Sequence, residues 1–315
     1  MNAATSPQLE TYPVIPVDSL DEIAHRLLDP VATAGAFQQL ALDLARTHAA
    51  KSAEEWRDYV RAFQDHPLLA ILHQDAFTAR GFRKPRGYAG DAVLIDMIYG
   101  SGEGERLLAK ASPLGQRIYA AAMATTPVAA ATRARRDLLA NYIDEICHQV
   151  SHPHILSVAC GHLREAALSA QCKAGHVGRF VGLDQDRRSL RVIERSLPSV
   201  ECISASIGEL MEGSVNPGRF DLIYVAGLYD YLDDATGSQL LETMSRLIQP
   251  GGRILIANFM PDLASTGYLE AAMDWWLIYR TKDQLHALSN KLHGAKSSRV
   301  YTDSFNQLAY LEVQF

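Results

Sequence analysis

The sequence has little cysteine, and its cysteines are not arranged as a structural scaffold. Four cysteines occur in 315 residues, and no two of them form a C-x-x-C pair. This spacing argues against a disulfide framework or a zinc knot as the basis of the fold. It is typical of buried thiols in a reducing compartment, so we expect a cytoplasmic protein.

Long apolar runs and an excess of positive charge are also missing. The opening residues, MNAATSPQLETYPVIP, have neither the basic nor the apolar region of a signal peptide, and no run approaches the roughly 20 apolar residues of a membrane helix. The formal net charge is −6, whereas a duplex-binding surface needs Lys and Arg to displace counterions. We therefore expect neither a membrane nor a nucleic acid as partner, but a small-molecule substrate.

Apolar side chains are abundant enough for a folded core. Hydrophobic residues make up 48% of the chain, which rules out global disorder, and the length suggests two domains. In the first half apolar residues recur at spacings of three and four, as in Leu20, Ile23 and Leu27, and this is the period of a helix. We predict a helical cap domain over residues 1–145 that recognises the substrate.

The second half alternates between short apolar runs and helical segments. The runs are HPHILSVACG, GRFVGLDQD, VECISAS, RFDLIYVAG and RILIANF, and the helical segments between them are LREAALSAQ, RRSLRVIERSL and DATGSQLLETMSRLI. This order predicts an α/β domain with a mostly parallel sheet over residues 146–315. Two last runs, SSRVYTDS and QLAYLEVQF, are too close together for a helical crossover, so they should pair antiparallel at the sheet edge.

Ligands of an open α/β sheet bind beyond the carboxyl ends of its strands. This rule selects four short segments as candidate cofactor and catalytic positions: Ala159, Gly161 and Glu165 after strand one, Asp184 and Gln185 after strand two, Ser206 and Ile207 after strand three, and Ala226, Gly227, Tyr229 and Asp230 after strand four.

The first of these loops lacks the G-x-G-x-x-G fingerprint. It holds only one glycine, Gly161, which argues against a pyrophosphate cradle and favours a nucleoside without phosphates. Asp184 would accept hydrogen bonds from the ribose hydroxyls; the alternative is that it caps the helix from Arg187 onward, together with Asp186.

At these residues the chain resembles the class I S-adenosylmethionine-dependent methyltransferases. The resemblance covers about residues 140–315 and rests on the glycine-containing first loop, the acidic Asp184, the Pro250-Gly251-Gly252 turn and the reversed last hairpin. It implies a Rossmann-like sheet and S-adenosyl-L-methionine as cofactor. Ser157 and Ala159 stand where the family has an acidic residue and a first glycine, so Glu165 is the candidate contact for the cofactor's ammonium group.

A narrower resemblance involves both halves. The segment FRKPRGYAGD, residues 82–91, looks like a KP-x-GY-x-GD motif of bacterial methyltransferases of extracellular factor (3-hydroxypalmitic acid methyl ester) biosynthesis. The runs 129–136 and 274–281 also look like that group. In the functional interpretation, Gly87, Tyr88 and Asp91 form a lid over the cofactor, and Arg86 meets a carboxylate. The alternative is a solvated basic face.

Aromatic and basic residues late in the chain are candidates for the acceptor pocket. Trp275, Tyr279 and Tyr229 would line it and Arg280 would anchor an anion, whereas the alternative for the aromatic residues is a place in the core. Three nearby histidines, His148, His152 and His154, straddle a helix end and a proline, so we expect no metal site.

These patterns together predict a methyltransferase that acts on a small carboxylate-bearing metabolite, including the carboxyl group of a hydroxy-fatty acid. A carboxylate or thioether acceptor needs no general base, whereas an amine or hydroxyl would need one, such as Asp230, Asp91 or a tyrosine. One alternative is S- or N-methylation of an amino-acid-like metabolite. Another is a cofactor-binding module without catalysis, and a third is a nicotinamide oxidoreductase, which the single-glycine loop disfavours. A homodimer is a further hypothesis.

Overall fold

The structure, a computed structural model, describes residues 15–16, 19–290 and 292–315. The chain divides into two compact units. Unit 1 consists of Met1–Thr126 and Asp262–Trp276, and unit 2 consists of Pro127–Pro261 and Leu277–Phe315. The sequence predicted one boundary near residue 145. In the structure the division falls at 126/127, because one long helix of the first half belongs with the sheet, and a second segment of the chain joins the helical unit.

The elements alternate as expected along the second half. The helices of the described chain are α1 (Leu20–Leu28), α2 (Thr33–Ala50), α3 (Ala53–Asp65), α4 (Leu68–Leu72), α5 (Ala76–Arg83), α6 (Ala92–Tyr99), α7 (Gly102–Ala109), α8 (Pro113–Thr125), α9 (Pro127–Gln149), α10 (Ala170–Lys173), α11 (Arg187–Ser196), α12 (Ile207–Glu212), α13 (Asp234–Arg246), α14 (Thr266–Met273) and α15 (Lys282–Ala287). The strands are β1 (His154–Val158), β2 (Arg179–Asp184), β3 (Val200–Ser204), β4 (Phe220–Val225), β5 (Ile248–Phe259), β6 (Ser297–Thr302) and β7 (Leu308–Gln314).

The regular elements of the described part of unit 1 are all helices, as the apolar periodicity predicts. Side-chain caps begin several of its helices. Ser52 and Glu55 form a reciprocal capping box at α3, and Asp75 and Asp91 each accept two backbone N–H groups at the starts of α5 and α6. Such caps satisfy donors that the first turn of a helix leaves free. All residues of α14 are buried, so this helix lies in the interior of unit 1.

Unit 2 contains one seven-stranded sheet in the order β3-β2-β1-β4-β5-β7-β6. Strands β1 to β5 pair in parallel, and β7 runs antiparallel to both β5 and β6. The mostly parallel, Rossmann-like sheet and the antiparallel hairpin at its edge are therefore confirmed. The strand order reverses between β1 and β4, and ligands of such sheets bind at the carboxyl ends of the strands beside this reversal.

The central strands form because their residues are apolar on both faces. In β1 and β4 nearly every position is buried, as expected for parallel strands covered by helices on both sides. The turn into β5 needs its glycines. Gly251 has a φ of +86°, and a Cβ at Gly252 would lie only 2.8 Å from the carbonyl oxygen of Asp221. This geometry explains the Pro-Gly-Gly sequence before the apolar run.

The helix that the sequence predicts over LREAALSAQ is wrong for most of its length. Residues 164–168 form turns, and a helix begins only at Ala170. Tertiary contacts override the helix propensity of the alanines here. The side chain of Glu165 is buried, and the hydroxyl of Ser169 donates to Asp144 of α9.

No helix among the described residues is long and apolar enough to cross a membrane.

Candidate functional site

The loop after β1 holds three left-handed residues. Ala159, Gly161 and Leu163 have φ angles of +51°, +55° and +50°. For residues that carry a Cβ this conformation costs about 1–2 kcal/mol, and such strain gathers at ligand-binding positions. Because every second residue from Ala159 to Leu163 is left-handed, the loop turns sharply at the point where strand order reverses. This pattern also shows why a glycine would suit the position of Ala159.

Asp184 joins this loop to the end of β2. Its carboxylate accepts the N–H of Gly161 at 2.8 Å and the N–H of Asp186 at 2.7 Å. Burial raises the pKa of Asp184, while these two backbone donors act to lower it. The alternative role as a helix cap is not what the structure shows, since α11 is capped by Asp186, which accepts the N–H of Arg188. Gln185 beside it is exposed.

Glu165 belongs to a buried pair that was not predicted. The hydroxyl of Tyr224, on β4, donates to its Oε1 at 2.8 Å, and both side chains are buried. Burial raises the pKa of Glu165, and the charges of Arg135 and Arg136 oppose that rise. Glu165 therefore places a carboxyl group at the first loop. It belongs to a turn, whereas the sequence predicts that it lies in the first turn of a helix.

Arg135 is the residue at this edge that the sequence interpretation missed. It lies on α9, is buried, and donates from Nη1 to the carbonyl oxygen of Ala226 at 2.7 Å. A Cβ at Gly227 would lie 3.6 Å from the same nitrogen, and the guanidinium carbon lies 6.0 Å from the ring centre of Phe259. A cation is thus fixed between the carboxyl ends of β4 and β5. Only its place in the run 129–136, which carried the narrower resemblance, could have drawn attention to it.

Asp230 lies just beyond β4 but is engaged by the backbone. Its Oδ1 accepts the N–H of Phe259 at 2.6 Å, and its carbonyl oxygen accepts the N–H of Ile278 at 2.7 Å. Burial raises its pKa to about 6, although the Phe259 hydrogen bond and the charges of Arg135 and Arg280 act against the rise. The side chain therefore ties the segment after β4 to the end of β5, and the backbone carbonyl of Asp230 ties it to Ile278.

Two predicted site residues have structural contacts instead of a pocket position. Tyr229 is fully buried in the core beside the sheet, and its hydroxyl donates to the carbonyl of Gly237 at 3.0 Å. Arg280 is buried as well, and its three nitrogens donate to Tyr229, Leu232, Asn258 and Asp234. These contacts correct both predictions. A core tyrosine cannot line an acceptor pocket, and a guanidinium engaged through every nitrogen is not an anion anchor.

Ser206 and Ile207 begin α12 after β3. The Ser206 hydroxyl accepts the N–H of Glu209 at 3.2 Å, and the Glu209 carboxylate accepts the N–H of Ser206 at 2.8 Å. This capping box accounts for the sequence pattern by itself. Tyr279, between β5 and α15, is half-buried.

The remaining predicted residues lie in unit 1. Gly87 and Tyr88 belong to the loop between α5 and α6, where Gly87 has a φ of +93°. Asp91 pairs with Arg80 through two contacts of 2.8 Å while capping α6. The Arg86 guanidinium lies 3.9 Å from Glu103.

The basic run is therefore not simply a solvated face. Lys84 pairs with Asp274, the side chain of Arg86 is almost fully covered, and Trp275 is buried within the same unit. A part in a lid stays a prediction for Gly87, Tyr88 and Asp91, as does an acceptor contact for Arg86 and Trp275.

Residues 155–252 match the model of a family described as a methyltransferase domain. A search of curated protein sequences finds no match. Among solved structures, a possible exported protein from Bordetella parapertussis has 17% identity and a TM-score of 0.62, with coverage of 91% of this chain and 99% of that one.

Two methyltransferases are more distant in structure. The N-methyltransferase NodS from Bradyrhizobium japonicum, in complex with S-adenosyl-L-homocysteine, has 16% identity and a TM-score of 0.41, with coverage of 58% and 86%. Magnesium protoporphyrin IX methyltransferase from Synechocystis has 9% identity and a TM-score of 0.48, with coverage of 69% and 90%.

The family match spans the strands that build the candidate site, from β1 to the turn that enters β5. Together with the Rossmann-like sheet, it shows that this stretch of the chain is a methyltransferase domain. S-adenosyl-L-methionine is its cofactor.

The residues at the carboxyl edge fit such a cofactor. Asp184 and Glu165 supply two carboxylates beside the strained first loop. Their contacts with the ribose and the ammonium group of the cofactor stay predictions. Cys160, also in this loop, is buried, and burial raises its thiol pKa well above the usual range. The thiol is therefore a packing group and not a nucleophile.

Proposed function

We propose that this enzyme methylates the carboxylate of a small metabolite, including a hydroxy-fatty acid. One observation carries the proposal. Asp230 and Tyr229, the predicted proton acceptors next to β4, are both engaged in structural contacts, with Phe259 and Gly237. An acceptor that is already ionised at neutral pH needs no proton removed, and a carboxylate meets this condition.

Two further features support an acceptor of this kind. Arg135 places a positive charge between the ends of β4 and β5, where it would attract an anion. Tyr231 and Ile278, close in space through the Ile278–Asp230 hydrogen bond, are exposed apolar side chains in the same region. They would contact the hydrocarbon part of an acceptor. The resemblance of residues 82–91 to the extracellular factor group points to the same substrate class.

Methyl transfer depends mainly on the alignment of the acceptor with the methyl group of the cofactor. When bound, the cofactor supplies a methyl group on a positively charged sulfonium. Asp184 would hold the ribose, Glu165 the ammonium group, and the Ala226–Gly227 backbone would form one side of the site. Orientation of two reactants in this way can supply several kcal/mol of a barrier. Substrate recognition by the helical unit, with Tyr88 and Arg86 as acceptor contacts, stays a prediction. A cytoplasmic location and a homodimer stay predictions.

The test is to follow transfer of a labelled methyl group to matched acceptors. We would compare a 3-hydroxy-fatty acid, its amide, which lacks the carboxylate, and a thioether amino acid. We expect label only with the free acid, in a product that releases labelled methanol in mild base, as esters do. Base-stable label on the thioether or on an amine would overturn the carboxylate proposal. Cofactor binding without transfer to any acceptor would favour the non-catalytic alternative.

A further inference from the structure

Unit 2 contains a cavity of about 410 Å³ away from the candidate site, lined by Arg253, Ser297, Ser298, Arg299, Glu312 and Gln314. Its position follows from the strand register. Arg253 is level with Leu222 of β4, and Leu222 is level with Ile155 near the start of β1. The cavity therefore lies toward the amino-terminal edge of the parallel strands, opposite the edge that carries Asp184.

The lining carries one positive charge in excess. Arg299 donates from Nε and Nη2 to one oxygen of Glu312, at 2.8 and 2.6 Å, and the hydroxyl of Tyr142 donates to the same oxygen at 2.9 Å. This carboxylate is therefore already occupied by donors. Its charge offsets one of the two guanidinium groups of the lining, and the second, that of Arg253, pairs with Glu145, which lies outside the lining.

Arg253 is not saturated by its protein partners. Its Nη1 donates to Glu145 at 3.0 Å and lies 3.6 Å from Glu312, and its Nη2 donates to Gln149. Its Nε is buried, yet within the described residues it has no hydrogen-bond partner. A buried donor without a partner costs about 1–3 kcal/mol, so a small rotation of the guanidinium toward an added acceptor would be favourable.

We propose that this cavity binds a small oxyanion, a phosphate or a carboxylate. Arg253 and Arg299 would supply the charge, and the hydroxyl of Ser297 and the amide of Gln314 would supply further donors. Ser298 has another role, since its hydroxyl contacts His286 at 2.9 Å. The volume is within the range of small-molecule sites. A cation would face two guanidinium groups and is disfavoured.

Calorimetric titration of the full chain tests the proposal. Sodium phosphate and sodium propionate serve as separate probes, against sodium chloride at equal ionic strength, with S-adenosylhomocysteine present to fill the cofactor site. We expect one site for at least one of the two oxyanions. Binding should weaken at least tenfold in Arg299→Gln, because a charge-assisted hydrogen bond is lost. Binding of phosphate alone, or of propionate alone, would identify which of the two is the ligand class.

The matched control is Arg246→Gln. Arg246 is also an exposed arginine paired with a glutamate, Glu242, but it lies on α13 outside the cavity lining. If Arg299→Gln fails to fold, Ser297→Asp replaces it, because Ser297 is exposed and an added carboxylate there repels an anion. Absence of binding to both probes overturns the proposal. The proposal is also overturned if Arg246→Gln and the cavity variants bind the oxyanion probes equally well.

Discussion

Replacing Asp184 with asparagine would test the connection between the first loop and the end of β2. The Asp184 carboxylate accepts two backbone N–H groups, from Gly161 and Asp186, at 2.8 and 2.7 Å. An asparagine has one acceptor oxygen, so its amide nitrogen must face the other N–H group. One hydrogen bond is lost, and two donors oppose each other. We expect weaker cofactor binding and a smaller loss of stability.

The size of both effects follows from the contacts. A hydrogen bond to a charged acceptor contributes about 1.5–3 kcal/mol, which corresponds to about 10- to 150-fold in a dissociation constant. Because burial raises the pKa of Asp184, the fold holds the ionised carboxylate at a cost that the amide avoids. We therefore expect the free energy of unfolding to fall by only about 1–2 kcal/mol, while S-adenosylmethionine binding weakens at least tenfold.

Calorimetric titration with S-adenosylmethionine and S-adenosylhomocysteine measures the affinity, and urea unfolding measures the stability. Asp186→Asn is the matched control. It removes the same charge two residues away, and asparagine caps a helix about as well as aspartate, so α11 keeps its cap. We expect this control to bind the cofactor within threefold of the wild type.

If wild type and Asp184→Asn bind S-adenosylmethionine with equal affinity and are equally stable, the role of Asp184 in cofactor binding is refuted. A wild type that binds NAD in preference to S-adenosylmethionine would refute the nucleoside interpretation of the first loop.

Three further predictions concern other parts of the molecule. Burial raises the pKa of Glu270 to about 7, so the folded state binds more protons than the unfolded state between pH 4.5 and 7. The free energy of unfolding of the wild type should therefore fall relative to that of Glu270→Gln as pH rises through this range, by up to about 3 kcal/mol. Urea unfolding at several pH values measures this difference. Arg135→Gln should lower kcat/KM for methyl transfer at least tenfold because the cation beside Ala226 is lost, whereas Arg135→Lys should restore part of the rate, and equal rates in both would contradict this role. Gly252→Ala should lower the free energy of unfolding by about 1–3 kcal/mol, because the new methyl group meets the carbonyl of Asp221, and an unchanged urea midpoint would show that the turn adapts.

The strands could be predicted because buried parallel strands are apolar at consecutive positions, a pattern visible in a single sequence. The carboxyl-end rule then placed Gly161 and Asp184 at one edge, where the structure joins them by a hydrogen bond. These conclusions need only local composition and the general topology of α/β sheets.

Other features depend on contacts between distant parts of the chain, which local patterns do not encode. Arg135 meets Ala226 across 91 positions, and nothing near Arg135 marks it for that edge. Tyr229 was expected to line a pocket because it follows β4, but the direction of its side chain is set by Gly237 on α13. The sequence predicts Arg280 as an anion anchor, whereas its guanidinium donates to four residues of unit 2, Tyr229, Leu232, Asp234 and Asn258.

The interior position of α14 has a consequence for synthesis of the protein. Unit 1 is encoded mainly by the first 126 residues, yet its fully buried helix lies at Thr266–Met273, some 140 positions later. At about 5–20 residues per second, a ribosome needs roughly 7–28 s to cover that distance. During this interval the apolar faces that α14 covers stay open to water. The nascent chain should therefore be a client of chaperones until the helix emerges and completes the unit.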